Sequence, residues 1–203
     1  MAKVIVYYAH PGQTFSRANR LMAKRAAAMN TVTFVDLYAD YPRHDIDIDR
    51  EQARLLDHDV IVFQFPMYWY STPSILKEWQ DLVLQHGFAY GHGGDKLAGK
   101  TLLLAVTAGG ATEAYSTDGY QNHPIRDFLV PLEQTARLCG MTFAAPYVLF
   151  GALKADEDTD LERHVDGYAQ LLQQAQTAPE GLAAKDRQAV ITADDILTQA
   201  EGQ

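Results

Sequence analysis

Three short stretches of this chain bring together residue types suited to holding a ligand. The first, His10-Pro11-Gly12-Gln13-Thr14-Phe15-Ser16-Arg17-Ala18-Asn19, is a polar turn feeding a helical pattern. Its hydroxyls, its amide and the unpaired N–H groups of a first helical turn suit a phosphate. It lacks the Gly-rich lead and Lys-Ser/Thr ending of a P-loop, and it is not a G-x-G-x-x-G fingerprint. Taken alone, the same turn is also explained if Thr14 or Ser16 simply caps a helix. The second stretch, Gln64-Phe65-Pro66-Met67-Tyr68-Trp69-Tyr70-Ser71-Thr72-Pro73, sets three consecutive aromatics between two prolines. Three adjacent aromatic side chains cannot all face one core, so a flat guest for stacking competes with plain core packing. The third, Thr107-Ala108-Gly109-Gly110-Ala111, pairs glycines whose N–H groups can approach a ligand with no Cβ in the way, although a Gly-Gly pair also makes an ordinary turn.

Each stretch follows a short apolar run rich in β-branched or aromatic residues. Val4-Ile5-Val6-Tyr7-Tyr8, Val32-Thr33-Phe34-Val35, Val60-Ile61-Val62-Phe63, Leu102-Leu103-Leu104-Ala105-Val106 and Tyr147-Val148-Leu149-Phe150 read as five strands. The third and fourth are apolar at nearly every position, which suits a parallel sheet covered on both faces. Helical spacing fills the intervals at about 16–29, 50–56, 74–86, 125–138 and 161–174. Alternating strands and helices with right-handed crossovers predict an α/β three-layer sandwich, with ligands collecting at the carboxyl ends of the strands. The three stretches follow strands one, three and four, and their coincidence says more than any one alone. Segments 38–49 and 108–124 are long for plain connections, and irregular segments of that size are often functional. Residues 1–178 read as the principal domain. Residues 179–203 read as a partly helical tail in which Thr192 and Asp195 form a capping pair.

The chain has 203 residues, 47% hydrophobic, enough for one sizeable core. Its formal charge of −9 disfavours nucleic acid and anionic lipid as partners. A single cysteine, Cys139, forms no internal disulfide and has no metal-ligand spacing around it, so no metal is expected and a reducing cytosol fits. No run approaches the ~18 apolar residues of a membrane span, and direct membrane insertion is not expected.

With these motifs in order, the sequence resembles the flavodoxin-like NAD(P)H:quinone oxidoreductase family. Within it, the resemblance is nearer to the cytosolic ancillary subunits of glutathione-gated potassium efflux systems. It rests on Ala9-His10-Pro11, Phe65 to Tyr70, Pro73-Ser74-Ile75-Leu76-Lys77, Gly87-Phe88-Ala89-Tyr90-Gly91-His92-Gly93-Gly94 and Thr107 to Gly110, across roughly residues 4–172. It implies a five-stranded parallel sheet of order 2-1-3-4-5 and a bound FMN, with FAD as the alternative. His10, Ser16, Arg17, Ala18 and Asn19 would hold the flavin phosphate. Pro66, Met67, Tyr68, Trp69 and Tyr70 would line its ring system, and Thr107, Ala108, Gly109, Gly110 and Ala111 its pyrimidine edge. Ala108 and Ala111 stand where relatives often carry a Thr or a third Gly, which leaves backbone contacts in place of side-chain donors.

The activity implied is two-electron, ping-pong hydride transfer from NADPH or NADH through the flavin to a quinone. Tyr115 stands eight residues after Thr107, the spacing of an active-site tyrosine in the animal quinone reductases. Tyr120 and His123 compete for the place of the histidine that follows it there. His123 falls two positions late, so a solvent-exposed ring without a role is an equal reading. Trp69, Tyr90, His92, Tyr115 and Tyr120 would surround the quinone. Tyr90 and His92 would reach it from the second copy in a homodimer. Two further roles compete: a regulatory subunit docked on a membrane transporter at the inner face of the cell membrane, and a flavodoxin-type electron carrier. The carrier ranks last because it has no use for a substrate space.

Overall fold

The computed structural model describes every residue except 13–15, 155–159, 185, 187, 202 and 203, with backbone alone at 160 and 199–201. Thr14 therefore lies outside the described residues. The strands are β1 (Val4–Tyr8), β2 (Val32–Asp36), β3 (Val60–Pro66), β4 (Thr101–Thr107), β5 (Thr142–Phe143) and β6 (Tyr147–Leu149). All pairings among them are parallel, in the order β2-β1-β3-β4-β5, with β6 also beside β4. The expected order is correct, the expected fifth strand is β6, and the two-residue β5, absent from the sequence reading, precedes it on the same side of β4. Ala144-Ala145-Pro146 separates the two, and a proline has no N–H to continue the ladder.

The helices are α1 (Arg17–Ala27), α2 (Leu37–Asp40), α3 (Ile48–Asp57), α4 (Ser74–Val83), α5 (Ile125–Leu138), α6 (Asp160–Thr177) and α7 (Ala193–Glu201). Helix α2 was hidden in the stretch 38–49 and exists because the Asp36 carboxylate accepts from the N–H groups of Tyr38 and Ala39. Helix α3 begins two residues before the expected start, where Asp47 caps the N–H of Arg50 at 3.0 Å.

Strand alternation divides the core into two layers. Ile5, Tyr7, Ile61, Phe63, Leu102 and Leu104 face one side, packed on Leu55, Leu76, Trp79 and Leu129 of α3, α4 and α5. Val4, Val6, Val60, Val62, Leu103 and Ala105 face the other, on Met22 of α1 and Tyr168, Leu171 and Leu172 of α6. Each fully buried Leu or Ile contributes about 1.5–3 kcal/mol relative to exposure. Leu182 and Ile196, beyond residue 178, are buried in this second layer. Thr192 donates its N–H and hydroxyl to the Asp195 carboxylate, each at 2.8 Å, which caps α7. Among the described residues no helix is long and apolar enough to cross a membrane.

Candidate active site

At the carboxyl ends of β1, β3 and β4 the loops enclose a cleft of about 860 Å³. Its first wall is the start of α1. Ser16 is the N-cap, its Oγ accepting from the N–H of Asn19 at 3.3 Å, while Arg17 and Ala18 also line the cleft. The Asn19 side chain turns inward. Its Nδ2 donates to Thr107 Oγ1 at 2.7 Å in a buried contact, and its buried Oδ1 has no partner among the described residues. Beneath it, Gln64 donates to the Asn19 carbonyl at 3.0 Å and accepts from the Tyr168 hydroxyl at 3.1 Å. A polar chain thus runs from α6 through β3 to the cleft floor, held in a low-dielectric interior where an unmet group is costly.

His10 is 3% exposed. A carbonyl only accepts, so the contact of Nδ1 with Pro11 O at 2.9 Å places the proton on Nδ1. Nε2 is then an acceptor, facing the Tyr68 hydroxyl at 3.4 Å. Burial holds the imidazole below its ordinary range. Burial thus disfavours the charged form of the ring that His10 presents to the cleft.

The aromatic stretch is a tight hairpin. Tyr68 and Ser71 exchange two backbone bonds, both 3.0 Å, around Trp69 and Tyr70. Trp69 and Tyr70 sit at φ 48° and 64°, the left-handed region that suits glycine, and such strain in a non-glycine residue costs on the order of 1–3 kcal/mol. The turn projects Trp69, 93% exposed, at the cleft mouth. Tyr70 rests on Phe128 of α5 at 5.0 Å between centroids.

The glycine loop is braced from behind. Gly151 donates to Gly110 O at 2.8 Å and Ala152 to Ala108 O at 2.9 Å, while Ala108 donates to Leu149 O at 2.8 Å. These bonds occupy the inward backbone groups. The N–H groups of Gly109 and Gly110 donate to no backbone acceptor among the described residues. Tyr115 folds back over this loop, so that a Cβ on Gly110 would lie 3.2 Å from Tyr115 Cε2. Burial pushes the Tyr115 phenol up from its ordinary pKa, opposed by the nearby backbone N–H of Gly110. Phe150 and Phe128 flank its ring at 5.6 and 6.3 Å.

Most of the residues singled out from sequence meet in this one cleft, including Tyr115 and the 88% exposed Tyr120. Ala108 is buried behind the loop with its backbone spent on the fold, and Ala111 accepts from Ala114 outside the lining. His123 is also outside, its Nδ1 3.2 Å from Asp127 Oδ2 and its ring on Phe128. Tyr90 packs against the first core layer beside His86, and His92 is exposed in the same glycine-laced loop, both away from their own chain's cleft. Sequence reasoning missed Gln121 and Leu153, which line the cleft. Leu153, 86% exposed, lies where a Cβ on Gly109 would meet it. The signal available was Gly151, a left-handed turn at φ 66° that returns the chain after β6.

Comparison with known proteins places this architecture. Residues 2–172 match the Flavodoxin_2 family, described as a flavodoxin-like fold. The chain is similar to the glutathione-regulated potassium-efflux system ancillary protein KefG of Cronobacter sakazakii, 46% identical over 171 residues, 84% of this chain and 92% of the relative. Among solved structures it is similar to general stress protein 14 of Treponema denticola in complex with FMN. There the identity is 32%, the TM-score 0.81, and coverage is 86% of this chain and 99% of that one. It is also similar to an NADPH-quinone reductase from P. pentosaceus, with 27% identity, a TM-score of 0.73, and coverage of 83% and 96%. On a match spanning most of its length, with the sheet order and switch-point cleft that such a fold requires, the chain belongs to the Flavodoxin_2 family of flavodoxin-like proteins.

Proposed function

We propose that the protein is a flavin-dependent NAD(P)H:quinone oxidoreductase whose cleft holds FMN, with FAD as the alternative. The observation that carries this reading is the meeting of three features in one cleft: the amides of Gly109 and Gly110, the strained aromatic hairpin and the first turn of α1. The residues fit such a group. Two backbone donors without backbone acceptors among the described residues suit an electron-rich ring edge, and exposed aromatic faces suit a flat ring. The FMN named in the complex of the Treponema denticola relative supports the same cofactor.

A flavin, when bound, supplies the capacity to take a hydride from NAD(P)H and pass it to a quinone. The chain's own part is positioning and proton supply. Trp69 and Tyr120, exposed at the mouth, offer faces against which a quinone ring stacks and loses its water. The Tyr115 hydroxyl, kept protonated by its raised pKa, donates a hydrogen bond to the quinone oxygen that becomes a phenolate. Tyr90 and His92, away from their own cleft, would complete the site of a second copy in a homodimer. A monomeric mass by light scattering with full activity would contradict that arrangement.

The reading is tested by the visible absorption spectrum of purified protein and by mass analysis of the released ligand. A flavin spectrum with released FMN supports it. A colourless protein that gains no flavin band after incubation with FMN or FAD overturns it.

A second role rests on the 46% identical relative, which is named as an ancillary protein of a potassium-efflux system. In that role the same fold docks on a cytosolic part of a membrane transporter and regulates it. Binding of the purified protein to such a transporter in nanodiscs, absent for an unrelated flavodoxin-like protein, tests it.

A further inference from the structure

The family match ends at residue 172, and the chain beyond it returns to the sheet edge. Ala145 donates to Leu182 O at 2.9 Å, and Ala184 to Phe143 O at 3.2 Å, beside β5. Next to β6, Val148 donates to Ile191 O at 2.9 Å and Ile191 to Pro146 O at 2.8 Å. Covering a sheet edge blocks pairing with other chains, and these four bonds need no further explanation.

Two other contacts do. Arg126, on the first turn of α5 and just after the loop 108–124, is 2% exposed. One arm donates to Ala189 O at 2.8 Å, the other to Glu133 Oε2 at 2.7 Å, and its plane lies 5.1 Å from the Phe143 ring centroid. A buried guanidinium is costly unless paired, and half of its pairing here is spent on a main-chain carbonyl of the returning segment. Beside it, Val190 packs into a small cluster with Ala108, Ile125, Val148, Phe150 and Tyr115. The returning chain thus holds the helix that ends the Tyr115 loop, and Val190 packs against the same buried cluster on which Tyr115 rests.

We infer that the stretches 182–184 and 188–191 form a strap that positions the 108–124 loop, with Arg126 and Val190 as its positioning residues. The strap closes the sheet edge and, through these two side chains, fixes where the Tyr115 ring rests on Gly110. Only the kinetic consequence depends on the quinone reductase reading; the mechanical one does not.

Hydrogen exchange read by mass spectrometry on the full chain tests it. Arg126→Gln leaves Glu133 paired with Arg137, 2.6 Å away, and removes the charged grip on Ala189. Peptides covering 183–191 and 111–123 are expected to exchange about tenfold faster, while β1 and β3 keep parental rates. Val190→Ala, which leaves every strap hydrogen bond in place, is expected to speed 111–123 alone, and it decides the matter if Arg126→Gln does not fold. Parental exchange at 111–123, whether or not the strap loosens, overturns the proposal. In FMN-loaded protein a loosened loop is expected to slow reoxidation by benzoquinone with FMN affinity unchanged. A loosened loop with parental reoxidation contradicts the role given to Tyr115 and leaves the strap standing.

Discussion

Asn19 and Thr107 meet beneath the cleft, the amide nitrogen of one donating to the hydroxyl of the other across 2.7 Å of buried space. The contact ties the first turn of α1 to the last residue of β4, two elements whose ends form adjoining walls of the cleft. Thr107→Val keeps the shape and leaves a buried amide donor unmet, at a cost of about 1–3 kcal/mol. The expected result in urea unfolding is a lower midpoint with an unchanged slope, together with weaker FMN binding. An unchanged midpoint would show that the amide finds another acceptor.

Trp69 separates stability from function. Its φ of 48° suits glycine, and its ring makes no core contact at 93% exposure. Trp69→Gly is expected to leave the protein as stable as the parent, or about 1 kcal/mol more stable, as the strained backbone relaxes. FMN or quinone affinity is expected to fall at the same time, measured by fluorescence titration and by the apparent Michaelis constant. A large loss of stability would show that the hairpin is structural.

His164 sets an acid limit. Its ring is stacked 4.4 Å from that of Tyr147, Nε2 has no partner among the described residues, and burial lowers its pKa to about 3. In the unfolded chain it titrates near 6.5, so below that pH the unfolded state takes up a proton that the folded state refuses. The destabilisation grows from pH 6.5 downward and levels off near pH 3, reaching about 3 kcal/mol by pH 4. His164→Phe keeps the stacked ring and removes the titration. Urea midpoints between pH 7 and pH 4 are expected to fall less steeply in that variant, and identical slopes would place the acid sensitivity elsewhere.

The alternation of Val4, Ile5, Val6 and Tyr7 was enough to give the sheet two faces, because in a strand the period of two decides which side chains share a layer. The two-residue β5 was not legible, because Thr142-Phe143 is too short to show a strand period and Pro146 breaks the run before β6. The aromatic and glycine loops were legible because their composition makes little sense inside a core. The Asn19–Thr107 contact was not, because two polar residues 88 positions apart carry no mark of their pairing. Leu153 was missed for a similar reason: a lone apolar residue in a loop has no period. The alignment by spacing that suggested His123 could not foresee Asp127 in the first turn of α5, whose Oδ2 lies 3.2 Å from the His123 Nδ1 outside the cleft lining.

Tyr115→Phe removes the hydroxyl and keeps the ring packed on Gly110. FMN affinity and the urea midpoint are expected to match the parent, while the quinone half-reaction slows by roughly tenfold to a thousandfold, as loss of one such donor allows. Because the phenol's pKa is raised above 10.0, the parental rate is expected to stay level as pH rises to that value, with loss of the donor only beyond it. A rate that falls well below pH 10.0 would assign the proton to another group.

Anaerobic double-mixing stopped-flow on FMN-loaded protein reads whether this cleft passes two electrons from a nicotinamide to a quinone. Mixing with NADPH or NADH is expected to bleach the visible flavin band in one phase. Later mixing with benzoquinone is expected to restore it in one phase, with no spectrum of a one-electron state between. Failure of both nucleotides to bleach the band, or recovery through a stable one-electron state, would rule out two-electron transfer in this cleft and point to an electron carrier or a regulatory protein.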